Sequence, residues 1–242
     1  MFANKFGFSI RFLIFLLFLT LIAAFFCAIS SHFGATSDDV IGDSTPTPFT
    51  VVLDAGHGGE DGGAVSVWGT YEKNLNLAIA MQVKGLLEAN GIDVVMTRET
   101  DVLLYDRNVD YKGRKKALDL AARQKIAEDT PNAVFVSIHM NSYPLPQYHG
   151  LQVWYSPNDP HSQVLAKEIQ STVKEYLQPQ NNRHVKSSTS SIYLLHHLKC
   201  PAVLIECGFL SNSEEASMLD STEYQQQLAF LIFLSIMNAQ SL

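Results

Sequence analysis

Three apolar stretches of the sequence each lead into a residue that can do chemistry. They are Thr50–Asp54 before His57, Val134–Ile138 before His139, and Val203–Ile205 before Glu206. If these stretches are parallel strands, their carboxyl ends share one edge of a sheet, where open α/β proteins place their sites. The sequence therefore predicts that two imidazoles and a carboxylate meet at one rim of the folded chain.

Two histidines and a carboxylate form the donor set of a catalytic zinc, which takes three nitrogen or oxygen ligands and keeps a fourth position open. His57 and His139 are the imidazole candidates, and Glu72, at the start of a helical pattern, could be the carboxylate ligand. Glu206 would then stay off the metal and act as a general base. The glycines that flank His57 fit this hypothesis, because small residues let backbone and substrate approach closely.

Each of these residues also has an ordinary structural interpretation. A histidine at a strand end can be a hydrogen-bonded polar residue, and Glu72 can be a charge that the helix dipole stabilises. The segment DAGHGG at 54–59 could be a tight turn or a phosphate-binding loop, although the lysine of a P-loop is missing. Glu206 is the strongest candidate, since a carboxylate among apolar residues is costly without a partner or a task. The residues alone therefore do not decide between a metal site and these ordinary interpretations.

Strand and helix patterns alternate after residue 50. The β-rich runs are Thr50–Asp54, Asp93–Thr97, Val134–His139, Leu151–Tyr155 and Val203–Cys207, and the helical patterns are Lys73–Asn90, Arg114–Glu128, Ser162–Leu177 and Glu223 to nearly the end. This alternation predicts a single α/β domain with a largely parallel, twisted sheet covered by helices. The last apolar run, LAFLIFLSIM, is too short to cross a bilayer and is expected to be a buried helix face.

Composition excludes several classes of protein. The chain is 47% hydrophobic and 17% charged, which is not the composition of a disordered acidic tail, a collagen or a coiled coil. Its net charge of −7 comes from 17 basic and 24 acidic residues, so the chain lacks the excess of positive charge that is typical of nucleic-acid-binding proteins. Three cysteines are too few for a disulfide scaffold.

The first thirty residues differ from the rest. Lys5 and Arg11 precede an apolar run at 12–29 that has no charge and no proline, which predicts a signal peptide or membrane anchor over 1–30. Positive charge before the run would leave that end in the cytoplasm and send the remainder outward. Residues 31–49 are rich in Ser, Thr, Asp, Gly and Pro and are expected to be a linker. The globular domain is thus predicted over 50–242, exported and either anchored or secreted.

Five segments in one order give the chain a family resemblance. They are VLDAGHGG at 52–59, EKN at 72–74, MTR at 96–98, SIHMNS at 137–142 and IECGFLSN at 205–212. Together they resemble the zinc-dependent N-acetylmuramoyl-L-alanine amidases of bacterial cell walls, over essentially all of residues 50–242. The short N-terminal anchor and the long insert around Tyr105–Arg123 resemble most the spore-cortex member of that family, which acts during endospore formation.

The resemblance implies a reaction and a role for four residues. His57, Glu72 and His139 match the family's ligands for one Zn²⁺, and Glu206 matches its catalytic glutamate. The implied reaction hydrolyses the amide that joins the lactyl group of N-acetylmuramic acid to the L-alanine of the stem peptide in peptidoglycan. In spore cortex this cleavage prepares muramic acid for lactam formation, which would place the enzyme between the forespore membranes.

Three further polar residues are assigned less directly. Arg98 is expected either to anchor a loop through an ion pair or to contact substrate, and Asn141 either to contact substrate or to brace the His139 loop. Many relatives carry asparagine five residues after the arginine that matches Arg123, whereas this chain has Glu128 there. That departure puts Arg123 in doubt as a site residue.

Two other functions remain as alternatives. The first is a zinc peptidase that cleaves within the stem peptide, and the second is a non-catalytic peptidoglycan-binding module on the same fold. The resemblance also makes an activating lipoprotein a candidate partner, in addition to the peptidoglycan substrate and the membrane at the N-terminal segment. No residue of the sequence specifies that lipoprotein.

Overall fold

A mostly parallel sheet brings the predicted site residues to one edge. The computed structural model describes residues 49–106, 108 and 112–239. In this part of the chain the strands are β1 (Thr50–Ala55), β2 (Asp93–Met96), β3 (Ala133–Asn141), β4 (Gln152–Tyr155), β5 (Lys186–Ser187) and β6 (Ala202–Phe209). They lie in the order β2-β1-β3-β6-β4-β5. Because β1, β3 and β6 are parallel neighbours, their carboxyl ends share one edge.

Helices cover both faces of this sheet. They are α1 (Glu72–Ala89), α2 (Lys115–Asp129), α3 (Pro160–Tyr176), α4 (Tyr193–His197), α5 (Ser213–Leu219) and α6 (Thr222–Asn238). Successive side chains of a strand point to opposite faces, so β1 contributes to two cores. Val51 and Leu53 pack in the larger core with α1, α3 and α6, and Val52 packs in the smaller one with α2 and α4. The α/β prediction is confirmed.

Helix α1 shows why the sequence forms these elements. Its buried apolar residues recur at the three- and four-residue spacing of an amphipathic helix; they are Leu75, Ile79, Ala80, Val83 and Leu87. The helix ends where Gly91 adopts a left-handed φ of 78°, a conformation that glycine allows at little cost. The same periodicity places Glu72, the first helical residue, on the buried face, and because α1 begins beside the end of β3, Glu72 lies at the carboxyl edge of the sheet.

Several elements differ from the sequence-based expectation. Strand β5 and the short helices α4 and α5 were not expected, because two, five and seven residues are too few to show a period. Strand β4 runs antiparallel to β6, so the sheet is mixed at this side. The other strands and helices lie within about two residues of the predicted bounds, which is the usual uncertainty of element ends.

The last apolar run is buried as expected. In α6, residues Leu228, Ala229, Ile232 and Ile236 are fully covered by the larger core. The predicted anchor at 1–30 and almost all of the predicted linker at 31–49 lie outside the described residues; Phe49 packs against the larger core. No helix in the described ranges combines the length and the hydropathy that a bilayer span requires.

Replacing Ile79 by alanine tests the buried face of α1. Ile79 is fully buried, so Ile79→Ala is expected to lower the free energy of unfolding by about 2–5 kcal/mol. Met81 lies on the same helix and is 39% exposed, so Met81→Ala should change stability by less than about 0.5 kcal/mol. Urea denaturation of both variants measures the difference. Equal losses would contradict the assignment of the two faces.

Candidate metal centre

His57 lies just beyond β1 in an unusual backbone conformation. Its φ is 61°, in the left-handed region that non-glycine residues rarely adopt and that costs on the order of 1–3 kcal/mol. The backbone of Gly58 pairs with that of Asp61, which closes the loop on His57. One imidazole nitrogen, Nδ1, is 3.0 Å from Asp61 Oδ1, and the other, Nε2, is 3.2 Å from Glu72 Oε1. The loop therefore turns Nε2 toward Glu72.

Glu72 holds a buried carboxylate at the start of α1. Its Oε2 accepts a hydrogen bond from the Ala64 N–H at 2.8 Å, and its Oε1 accepts one from the Met140 N–H at 3.0 Å. Oε1 also lies 2.9 Å from His139 Nδ1. Burial raises the pKa of Glu72, but the hydrogen bonds with His139 and His57 outweigh it and hold that pKa well below the ordinary value. The carboxyl group is therefore ionised between the two imidazoles.

The two imidazoles and the carboxylate form a compact donor set. One nitrogen or oxygen from each of His57, Glu72 and His139 lies within 4.8 Å of the others, and the two rings meet edge to face with centroids 5.0 Å apart. In the described part of the chain, no other group of three or more His, Cys, Asp or Glu residues is this compact. Two imidazoles and one carboxylate are the three-ligand set of several catalytic zinc sites. The residues predicted as ligands therefore converge.

The surroundings of this cluster fit a bound metal ion. A Cβ atom at Gly56 would lie 2.2 Å from His139 Nε2, and one at Gly63 would lie 2.5 Å from Glu72 Oε2. Both positions thus keep side-chain atoms out of the cluster. Asp61 places a carboxylate oxygen 3.0 Å from the second nitrogen of His57, on the side from which carboxylates orient metal-binding histidines, although this contact does not have hydrogen-bond geometry.

Glu206 lies beside this cluster on β6. It is the register partner of His139 on the parallel strand β3, so both side chains leave the sheet on the same face. Its Oε2 is buried and has no hydrogen-bond partner among the described residues. Burial raises the pKa of Glu206 to about 7, although the neighbouring His139 lowers it. A buried carboxyl oxygen without a partner is unfavourable, and such groups concentrate at functional sites.

Arg123 braces the His57 loop from inside the protein. Its guanidinium donates to Asp54 Oδ1 at 2.6 Å, to Asp119 Oδ2 at 2.8 Å and to the His57 carbonyl at 2.7 Å. Burial lowers the pKa of Arg123, but the charges of Asp54 and Asp119 and their hydrogen bonds together outweigh burial and raise that pKa above its ordinary value. Arg123 is therefore a buried support of the loop and not a surface residue of α2. The sequence did not identify Asp54 and Asp119 as partners of Arg123. The position of Asp54 at the end of a buried strand was the one indication of a role for it.

Arg98 anchors the same loop through carbonyl groups. Its guanidinium donates to the carbonyl oxygens of Ala55, Gly56 and Lys73 at 2.8–3.0 Å, and the side chain is buried. In the described chain these partners are carbonyl oxygens and not the carboxylate of the expected ion pair. The anchoring role fits this placement, and a contact between Arg98 and substrate stays a prediction.

Asn141 ends β3 after a register shift that follows His139. Its carbonyl oxygen accepts a hydrogen bond from the Leu210 N–H at 2.8 Å, which ties the ends of β3 and β6 together. The contact is made by the backbone, so it assigns no task to the amide side chain. Both roles considered for that side chain stay predictions.

Comparisons with known proteins agree with this site. The family model described as N-acetylmuramoyl-L-alanine amidase matches residues 51–238. A germination-specific N-acetylmuramoyl-L-alanine amidase of Bacillus subtilis is 35% identical over 187 residues, which cover 77% of this chain and 78% of that protein. The chain therefore belongs to the N-acetylmuramoyl-L-alanine amidase family, as the sequence motifs predict.

Two solved structures have the same fold. The CwlD amidase of Clostridioides difficile, solved in complex with the GerS lipoprotein, is 39% identical with a TM-score of 0.75, covering 80% of this chain and 98% of that one. The amidase AmiC2 of Nostoc punctiforme is 31% identical with a TM-score of 0.66, covering 78% of this chain and 96% of that one. The match thus extends over nearly the whole of each related chain.

Adding one methyl group at Gly56 tests the metal cluster. Gly56→Ala should displace the His139 ring and weaken zinc binding by at least about tenfold, because losing the groups that orient metal ligands typically costs 10–100-fold in affinity. Gly85→Ala is the control, because a Cβ there meets nothing within 4 Å. Titration with zinc against a chromogenic chelator gives both affinities. Equal affinities for the two variants would contradict the cluster.

Replacing Arg123 tests the buried support of the loop. Arg123→Met leaves Asp54 and Asp119 buried without their partner, which should cost about 3–5 kcal/mol of unfolding free energy. Lys125→Met on the same helix removes only an exposed pair with Asp129 and should leave the free energy of unfolding nearly unchanged. Chemical denaturation compares the two variants. A loss below about 1 kcal/mol for Arg123→Met would show that the network contributes little to stability.

Proposed function

We propose that this chain is a zinc-dependent amidase that hydrolyses the bond between N-acetylmuramic acid and L-alanine in peptidoglycan. The observation that carries the proposal is the convergence of His57, Glu72 and His139 beside Glu206 in a member of the amidase family. Similarity to a germination-specific relative supports a role in spore-cortex maturation, where stem peptides are removed before muramic lactam forms.

The proposed ligands of the zinc ion are His57, Glu72 and His139. The ionised Glu72 carboxylate supplies the negative charge of the set, and the two imidazoles supply neutral nitrogen donors. When bound, zinc supplies Lewis-acid polarisation of a carbonyl oxygen and of a water molecule. Two buried supports described above hold the donors in place: Arg123 beneath the His57 loop and the Met140 N–H on Glu72.

Glu206 is the proposed general base and acid. Its carboxylate takes a proton from the attacking water as the oxygen bonds to the lactyl carbonyl carbon. The carbon–nitrogen bond then breaks, and Glu206 returns the proton to the L-alanine nitrogen, which leaves as a free amine. A pKa raised to about 7 by burial suits both steps near neutral pH, and a cation in the cluster would favour the charged, basic form.

The remaining assignments are proposals that rest chiefly on the sequence patterns. We assign 1–30 to a signal or membrane anchor, 31–49 to a linker and 50–242 to the catalytic domain, which acts outside the cytoplasm. The C. difficile relative was solved with a lipoprotein, which supports a lipoprotein as partner of this chain as well. Arg98 and Asn141 stay candidates for substrate contact.

Two substitutions separate metal binding from proton transfer. Glu206→Gln removes the base but none of the three ligands, so zinc content should be retained while activity falls by about 10²–10⁴. His139→Ala removes a ligand, so both zinc and activity should be lost. Glu223→Gln makes the same chemical change as Glu206→Gln at an exposed position of α6 and should leave both unchanged.

Mass spectrometry of digested muropeptides, combined with elemental analysis of zinc, measures these outcomes. Cleavage at the proposed bond gives a free L-alanine amine and an intact lactyl carboxylate. New termini inside the stem peptide would identify a peptidase instead. Full activity of Glu206→Gln would overturn the proposed role of Glu206, and no cleavage by the unaltered protein would favour a binding module.

A further inference from the structure

A small hairpin stands directly before the proposed ligand Glu72. We call residues Val65–Tyr71 the tryptophan arm, because Trp68 is at its tip. Val65 and Tyr71 pair as an antiparallel bridge, and Ser66 Oγ accepts hydrogen bonds from the N–H groups of Trp68 and Thr70 at 3.2 and 3.0 Å. The arm is therefore held in shape by its own hydrogen bonds.

The arm is tied to both sides of the candidate site. At its root, Ala64 and Glu72 exchange two hydrogen bonds, one to the Glu72 carboxylate and one from the Glu72 backbone. At its tip, the Trp68 indole N–H donates to the Ser213 carbonyl at 3.3 Å. Ser213 follows β6, the strand that carries Glu206. The tryptophan arm thus connects the segment before Glu72 with the segment that follows β6.

A second aromatic segment, which follows β3, contacts the residues that follow β6. Residues Ser211–Ser213, which we call the serine turn, accept a hydrogen bond from the Tyr143 N–H on Ser211 Oγ at 3.0 Å. Asn212 of the turn donates to the Pro146 carbonyl at 2.8 Å. Tyr143 and Tyr148 meet edge to face with centroids 4.8 Å apart. The serine turn therefore has Trp68 at one end and the tyrosine pair at the other.

These rings are exposed although their backbones are fixed. Trp68 is 66% exposed, Tyr143 48% and Tyr148 41%. None of the segments VSVWGTY at 65–71, YPLPQY at 143–148 and SNS at 211–213 contains a charged residue. Rigid, exposed aromatic side chains with polar neighbours are typical of recognition surfaces, because they lose little conformational freedom on binding.

The chemistry of this surface matches a neutral sugar ring. A pyranose has apolar C–H faces that stack on aromatic rings and a rim of hydroxyl groups that hydrogen-bond to serine and amide side chains. The surface offers rings on both sides of the hydroxyl groups of Ser211 and Ser213, while the Asn212 side chain is engaged with the Pro146 carbonyl and with the first N–H groups of α5. It is continuous with the strands that carry His139 and Glu206, which favours a part of the substrate over a separate protein partner.

We propose that Trp68 and Tyr143 bind the glycan strand of the substrate next to the cleaved amide. The inference rests on the proposed function and deepens it, since it assigns the residues that distinguish a stem peptide on glycan from a free peptide. Trp68 and Tyr143 contact the sugar and are specificity residues, whereas Glu206 performs the proton transfers.

Two substrates with the same scissile amide test this proposal. One is a disaccharide muropeptide, and the other is a lactyl peptide of the same sequence that has no sugar. Trp68→Ala is expected to raise KM for the muropeptide about tenfold, which corresponds to about 1.4 kcal/mol, and to leave kcat and the KM for the lactyl peptide unchanged. Tyr143→Ala should act in the same direction.

Two more variants separate stacking from structural support. Trp68→Phe keeps a ring but removes the N–H that bonds to Ser213, so it should stay within about threefold of the unaltered KM if stacking matters. Tyr176→Ala is the control, because Tyr176 is 65% exposed at the end of α3 and should leave KM for both substrates unchanged. If Trp68→Phe raises KM for the muropeptide as much as Trp68→Ala does, the hydrogen bond to Ser213 matters and ring stacking does not, which would overturn the proposal.

Other outcomes are equally decisive. Equal rises in KM for both substrates, or no rise for either, would overturn a glycan-binding role, and the second result would favour a protein-binding surface. If the unaltered protein cleaves neither substrate, the proposed function fails. Calorimetric titration of the muropeptide into the Glu206→Gln protein, with and without Trp68→Ala, then tests glycan binding by itself. A tenfold weaker affinity with Trp68→Ala would support the inference, and an unchanged affinity would contradict it.

Discussion

The carboxylate of Glu72 is the point at which three separate segments of the chain meet. It accepts hydrogen bonds from the backbone before α1 and from the end of β3, and it lies within 3.2 Å of imidazole nitrogens of His57 and His139. A buried negative charge is tolerable only when it is paired in this way. The position of α1, the path of the His57 loop and the end of β3 are therefore all constrained by one side chain.

Parallel pairing of β1, β3 and β6 supplies the geometry that a local motif does not. Residues in register on neighbouring strands point to the same face, so the pairing of His139 with Glu206 places a ligand candidate beside a base candidate although they are far apart in sequence. A second layer of buried charge, Asp54 with Arg123, then fixes the loop that follows β1. Secondary structure aligns the donors, and this buried ion pair holds their orientation.

The parts of the site that the sequence predicts are those with a local signal. His57, His139 and Glu206 each follow an apolar run, and Glu72 begins a strongly periodic helix, so their meeting at one edge follows from sheet topology. Arg123 could not be placed in this way, because its partner Asp54 is 69 residues away and a long-range ion pair leaves no periodic pattern. The antiparallel direction of β4 and the existence of the two-residue β5 could not be predicted either, because periodicity in a single sequence shows neither the direction of a strand in a sheet nor very short strands.

The outer strands of the sheet also bear on how the protein behaves among copies of itself. A sheet edge with free backbone groups can pair with the edge of another molecule, and short edge strands with charged side chains prevent this. One edge here, β5, is two exposed residues that include Lys186, and the other, β2, is four residues that begin at Asp93. Among the described residues neither edge offers a long apolar template, so this sheet gives little opportunity for lateral aggregation at high local concentration.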